Sequence, residues 1–194
     1  MHAVSDQERW DERYRARGAV ARPHSAFLEH AAPHLPAQGA ALDVAGGDGR
    51  NALWLAARGL DVTVCDVSPL ALAHAEALAR ERDLILNTAR VDLESDPLPA
   101  GRYALVLCVH YLQRSLFPAM VEALAPGGVL LFCQPTRRNL ERHEKPSQRF
   151  LLEEGELPSL LPPLLEVVEL QEGWLSEGRH EARVIARRKK TILL

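Results

Sequence analysis

Acidic residues and glycines gather at the ends of apolar runs in the first half of the chain. Asp43 closes the run that begins at Ala40 and leads into the turn Ala45-Gly46-Gly47-Asp48-Gly49. Glycines there let the backbone approach a ligand without Cβ collision, and a helix starting just after the turn offers unpaired N–H groups. Gly47-Asp48-Gly49-Arg50-Asn51-Ala52 also fits the dinucleotide pattern G-x-G-x-x-G/A, a weak signal alone. Asp43 and Asp48 would repel a pyrophosphate, whereas the same acids suit a ligand bearing a sulfonium and an ammonium. Asp66 ends the run Val62–Cys65, where a carboxylate can accept from both hydroxyls of a ribose; its plainer role is to cap the turn before Ser68-Pro69. Asp92 fits either an adenine amino group or an ordinary turn. His110, after the apolar run Tyr103–Val109, is the best candidate for a general base or orienting group, or else a structural histidine at a strand end.

These residues need a scaffold, and the hydrophobic pattern supplies one. Residues 5–17 read as a charged helix with Trp10 and Tyr14 on one face. A second helix is expected over Ser25–Leu35, broken near its prolines. Strands are expected at Ala40–Val44, Val62–Cys65, Leu84–Leu86, Tyr103–Val109 and Val129–Cys133, alternating with helices at Arg50–Arg58, Pro69–Arg82 and about 115–125. Ser68 suits an N-cap, Pro69 a first helical residue and Gly59 a left-handed helix end. Such alternation predicts a parallel sheet covered by helices. Glu166–Leu170 and Glu181–Ala186 then read as a closing hairpin, after a polar, basic stretch and a Leu/Pro-rich one.

The 194 residues fit one domain, with 47% hydrophobic and 25% charged residues. A net charge of −3 gives no global attraction to nucleic acid, and no apolar run is long enough for a bilayer. The start MHAVSDQERW has acids where a secretion signal needs apolar residues, so a cytoplasmic location is expected, with no membrane or nucleic-acid partner. Cys65, Cys108 and Cys133 are odd in number and sit in apolar runs, which predicts buried reduced thiols. No His/Cys/Asp/Glu group has ligand-like spacing, so no metal is expected.

Five segments together carry a family resemblance: Ala41–Gly49 (ALDVAGGDG), Val64–Leu70 (VCDVSPL), Arg90–Leu93 (RVDL), Tyr103–Leu112 (YALVLCVHYL) and Leu124–Phe132 (LAPGGVLLF). In order and spacing they resemble the class I S-adenosylmethionine-dependent methyltransferases over about residues 38–135. The flanking segments 10–14, 49–52 and 149–157 are similar to the tellurite-resistance and thiopurine-type branch. The resemblance implies an α/β fold, a Rossmann-like three-layer domain whose seven-stranded, mostly parallel sheet has an antiparallel last strand. It divides the chain 1–194 into an N-terminal helical cap (1–36), a cofactor core (37–135) and a substrate-side lid with the C-terminal hairpin (136–194). It implies that Asp43, Ala45, Gly46, Gly47 and Gly49 hold the methionine end of S-adenosylmethionine, Asp66 and Val67 the ribose, and Asp92 and Leu93 the adenine. Val109 and His110 would face the sulfonium, with Trp10 and Tyr14 covering the cofactor. Ala45 departs from the family's first glycine, which alanine can replace if φ there is negative.

The expected acceptor is a small, soft, anionic molecule, a chalcogen oxyanion or a thiol. Arg138 and Arg142, in the basic stretch 137–149, and Arg179 and His180, before the last strand, are its candidate contacts. Methyl transfer to O, N or C of another metabolite, an NAD(P)-dependent oxidoreductase and a non-catalytic cofactor-binding protein remain the alternatives.

Overall fold

A computed structural model describes residues 5–190 of the chain. Its core is a seven-stranded sheet of order β3-β2-β1-β4-β5-β7-β6, made of β1 (Gly39–Val44), β2 (Leu60–Asp66), β3 (Asn87–Arg90), β4 (Tyr103–Val109), β5 (Leu124–Pro135), β6 (Leu165–Trp174) and β7 (His180–Arg188). The first five strands pair in parallel, and β7 runs antiparallel to both β5 and β6, as the pattern predicts. The central strands are buried on both faces, so they read as continuous apolar runs. In β4, Val106 and Cys108 join one core cluster while Leu105, Leu107 and Val109 join the other.

Helices α1 (Asp6–Arg17), α2 (Ala26–Ala31), α3 (Arg50–Ala56), α4 (Pro69–Arg80), α5 (Phe117–Ala123) and α6 (Leu157–Leu160) connect or cover these strands. Ser68 caps α4 by accepting from the Ala71 N–H at 3.0 Å, and Gly59 takes φ +90° after α3. The second helix ends at Ala31, and residues 32–34 continue as a 3₁₀ turn through Pro33.

Three expectations are corrected. The third strand is Asn87–Arg90, not Leu84–Leu86. Leu84 and Leu86 pack beside Leu53, Leu78 and Ala79, and Ile85 is exposed; an edge strand needs only backbone bonds, so polar residues serve. The helix expected over 115–125 becomes a 3₁₀ turn at Arg114–Leu116 followed by α5. β5 starts at Leu124, five residues early, because a register irregularity opposite Tyr103 and Leu105 admits the Pro-Gly-Gly turn into the ladder.

The chain from β1 crosses to β2 on one side, and β4 lies on the other. The carboxyl ends of β1 and β4 therefore flank a topological switch point, where open α/β sheets bind ligands.

Candidate functional site

A cleft opens at this switch point, between α1 and the carboxyl ends of β1 to β4. Of the anticipated residues, Tyr14, Ala45, Asp66, Val67, Asp92, Leu93 and His110 line it, together with Trp10. Helix α1 is held there by its own sequence. Ser5 and Glu8 form a capping box, and Asp11 accepts from Ser68 Oγ at 2.5 Å and from the Leu70 N–H at 3.3 Å. This docking carries Trp10 and Tyr14 across the cleft from the strand ends. Gly46, Gly47 and Gly49 form the turn itself, while Val109 is buried in the core behind the cleft.

The turn is built to approach other groups closely. A Cβ on Gly46 would lie 2.7 Å from Asp43 Cγ, and one on Gly47 would collide with the Tyr14 hydroxyl. Gly47 and Gly49 take φ +60° and +72°. Ala45 takes φ +53°, which corrects the expectation of a negative value. The backbone takes a left-handed path there, at a local strain of about 1–2 kcal/mol for a residue with a methyl side chain.

Asp43 lies beneath the turn, 1% exposed, with a buried Oδ2 that has no hydrogen-bond partner. Burial pushes its carboxyl up to about 7, against the pull of the Arg50 charge. Such an orphaned acceptor invites a cation. Asp66 is also buried; its Oδ2 accepts from the Gly47 N–H and its Oδ1 from the Ser68 N–H, each at 2.9 Å. Asp66 thus ties the turn, and each of its oxygens keeps a lone pair that can accept a further hydrogen bond. Burial, and after it the nearby Asp48 charge, raises the Asp66 carboxyl above its usual value, while the backbone N–H groups oppose the rise. Asp92 is exposed and accepts from the Glu94 N–H at 3.1 Å, the ordinary turn bond, while bordering the cleft.

The charge argument needs one correction at Asp48. Its buried carboxylate receives Arg22 Nε at 3.0 Å and Nη2 at 2.5 Å, with Arg17 at 3.6 Å, so its charge is spent on these arginines and not on a ligand. Arg22 lies 26 positions away in a coil segment, and no spacing rule could have found it. Arg50 points into the same region with only a 3.5 Å bond to the Pro23 carbonyl; burial lowers its pKa, and the like charges of Arg22 and Arg179 add to the effect.

His110 stands at the end of β4 with φ +63°, a left-handed conformation uncommon for a residue other than glycine. Its N–H donates to the Cys133 carbonyl at 2.8 Å. Its Nε2 lies 2.8 Å from Glu181 Oε1, and its Nδ1 lies 3.4 Å from Arg179 Nη1. Arg179 therefore does reach the mouth. His180 does not: it is buried, 2.7 Å from Thr136 Oγ1 and edge-on to Trp174, because successive residues of a strand point to opposite faces. Arg138 pairs with Glu141 and Glu154, and Arg142 stacks on Trp174 at 3.8 Å; neither lines the cleft.

Cys65, Cys108 and Cys133 are all buried and unpaired. The structure nevertheless brings His110, Cys133 and Glu181 together, their potential ligand atoms within 4.8 Å of one another, although they are far apart in sequence. Cys133 Sγ donates to Glu181 Oε2 at 3.0 Å, and Arg183 donates to the same oxygen through Nε at 3.1 Å and Nη2 at 2.9 Å. Arg183 thus already supplies the positive charge at this cluster.

Residues 41–128 match the family model described as a methyltransferase domain. No curated protein matches the chain. Solved structures with the same fold include one described by the conversion of a disulfide bond into a thioacetal group during echinomycin biosynthesis (21% identity, 96% of this chain and 93% of that one, TM-score 0.74). TehB from Haemophilus influenzae (21%, 93% and 67%, 0.68) is similar, as is an S-adenosylmethionine-dependent methyltransferase from Clostridium acetobutylicum (14%, 95% and 93%, 0.67). The [4+2]-cyclase SpnF shares the fold too (18%, 97% and 97%, 0.73), so chemistry must be argued from the site. Among the described residues no helix is long and apolar enough to cross a membrane.

Proposed function

We propose that this protein is an enzyme that transfers a methyl group from S-adenosylmethionine to a small, soft acceptor, a thiol or a chalcogen oxyanion. The observation that carries the reading is the unpartnered Oδ2 of Asp43 under the glycine turn, a buried carboxyl oxygen that the ammonium of the methionine end would satisfy and hold ionised. Asp66 and Val67 border the place for a ribose, Asp92 and Leu93 that for an adenine, and Trp10 and Tyr14 close the cleft over both. The bound cofactor supplies an electrophilic methyl carbon on a sulfonium. The chain supplies position: an acceptor held in line with the departing sulfur needs little further help.

Arg179, half-exposed beside His110, is the contact for an anionic acceptor; Arg138 and Arg142 serve the lid through their own partners. The tellurite-resistance and thiopurine-type likeness of the flanks points the same way.

Calorimetry with S-adenosylhomocysteine tests the reading. We expect 1:1 binding, none with NAD(H), and proton release near pH 6. There Asp43, held at about 7 by burial, is mostly protonated in the free protein, and an ammonium beside it favours the ionised form. Heat that is independent of the buffer's ionisation enthalpy would remove the ammonium from Asp43, and binding of NAD(H) alone would make the protein an oxidoreductase. Binding without turnover on any acceptor would leave a cofactor-binding protein. Among acceptors that turn over, Arg179→Ala should raise KM for anionic ones several-fold, by about 1 kcal/mol, and leave neutral ones unchanged.

A further inference from the structure

The cluster behind His110 contains more than methyl transfer to a bare lone pair requires. Glu181 is 2% exposed, yet each carboxylate oxygen is engaged: Oε1 by His110 Nε2, Oε2 by Cys133 and by two nitrogens of Arg183. Arg183 is anchored in turn by Glu177 at 2.8 Å. Burial alone would push the Glu181 carboxyl up, but the hydrogen bond and charge of His110, with Cys133 and Arg183 behind them, bring it down to about 2. An ionised carboxylate can only accept, so His110 Nε2 must be the protonated nitrogen. On the other side Arg179, which can only donate, faces Nδ1. Both neighbours select one tautomer, with its lone pair on Nδ1 toward the mouth.

We propose that Glu181 is a positioning residue that fixes His110 as a general base at Nδ1, and that the acceptor arrives protonated, a thiol before an oxyanion. This rests on the methyltransferase reading and narrows its acceptor class. As the acceptor's sulfur bonds to the methyl carbon, its S–H bond breaks. The bonding pair stays on that sulfur and the proton passes to Nδ1, while the departing thioether keeps the pair of the bond it loses. Glu181 stabilises the imidazolium, which returns its proton to water through the exposed mouth. Arg179 leaves Nδ1 as the acceptor enters, a move its exposure makes easy, and its charge then faces the developing thiolate.

Long-range proton–nitrogen NMR of the free protein in mildly alkaline buffer reads the tautomer directly, without turnover. We expect His110 to carry its proton on Nε2 and Glu181→Gln to lose that preference, since an amide can donate as well as accept. A proton on Nδ1, or a variant tautomer like the parent's, overturns the proposal. With a thiol acceptor, Glu181→Gln should lower kcat about 10²- to 10⁴-fold, with acceptor KM and S-adenosylhomocysteine affinity within twofold. Should that variant unfold, His110→Asn serves, because asparagine tolerates the left-handed backbone; it should lose kcat alike, and the double variant should be no worse than either single one. Additive losses, or joint loss of cofactor affinity, would make the cluster structural and overturn the proposal. If the parent protein shows the expected tautomer but binds no S-adenosylhomocysteine, the methyltransferase reading fails and the acceptor inference falls with it, while the role of Glu181 stands.

Discussion

Asp66→Ala is expected to weaken S-adenosylhomocysteine binding by about 2–3 kcal/mol, roughly 30- to 150-fold, in a protein that still folds. In the proposed reading this carboxylate, at the end of β2 and on the wall of the cleft, accepts from both ribose hydroxyls. It also ties the Gly47 and Ser68 N–H groups, so its loss leaves two donors to find water or nothing. That second effect should cost about 1–3 kcal/mol of folding stability, read by urea denaturation without ligand. The two measurements separate the roles. An unchanged dissociation constant in a destabilised variant would confine Asp66 to the turn; lost affinity at full stability would confine it to the ligand.

Arg22→Ala should be the most destabilising single change near the site, by about 2–3 kcal/mol. Truncating one partner of a buried ion pair typically costs about 3–5 kcal/mol, because the other charge stays behind unpaired. The smaller figure allows for Arg22 being one-third exposed and for Arg17, which remains 3.6 Å from Asp48. Thermal unfolding should drop by about 5–10 °C, and the double change Arg22→Ala/Asp48→Ala should recover most of it, since the stranded charge is then gone. A drop under about 1 °C in the single variant would mean that Asp48 finds water or Arg17 at no cost. A turn loosened in this way should also bind S-adenosylhomocysteine more weakly, because Asp48 sits between Gly47 and Gly49.

The two rival enzyme classes weighed from the sequence now stand on different ground. With Asp48 neutralised, repulsion of a pyrophosphate rests on Asp43 and Asp66 alone. The case for a sulfonium cofactor has gained the orphaned Asp43 oxygen and the match of residues 41–128 to a methyltransferase domain.

What the sequence determined by itself was local in cause. The unbroken apolar run Tyr103–Val109 could only be a strand buried on both faces, and it is one, with the predicted bounds. Ser68-Pro69 could only start a helix, and the Ser68 hydroxyl caps it. The glycine turn and Asp66 followed from the order of such elements, because a parallel sheet fixes where its strand ends lie. The errors arose where a neighbour outvoted local preference. Leu84 and Leu86 were apolar because they face α3 and α4, not because they pair in the sheet. Ala45 adopts the left-handed backbone that its side chain disfavours, since the surrounding turn fixes the path. Only the tertiary structure could set Arg22 against Asp48, or bring His110, Cys133 and Glu181 from three strand ends into one hydrogen-bonded cluster. Charge pairs and proton paths depend on distances of about 3 Å between residues 26 to 71 positions apart, and side-chain periodicity carries no record of them.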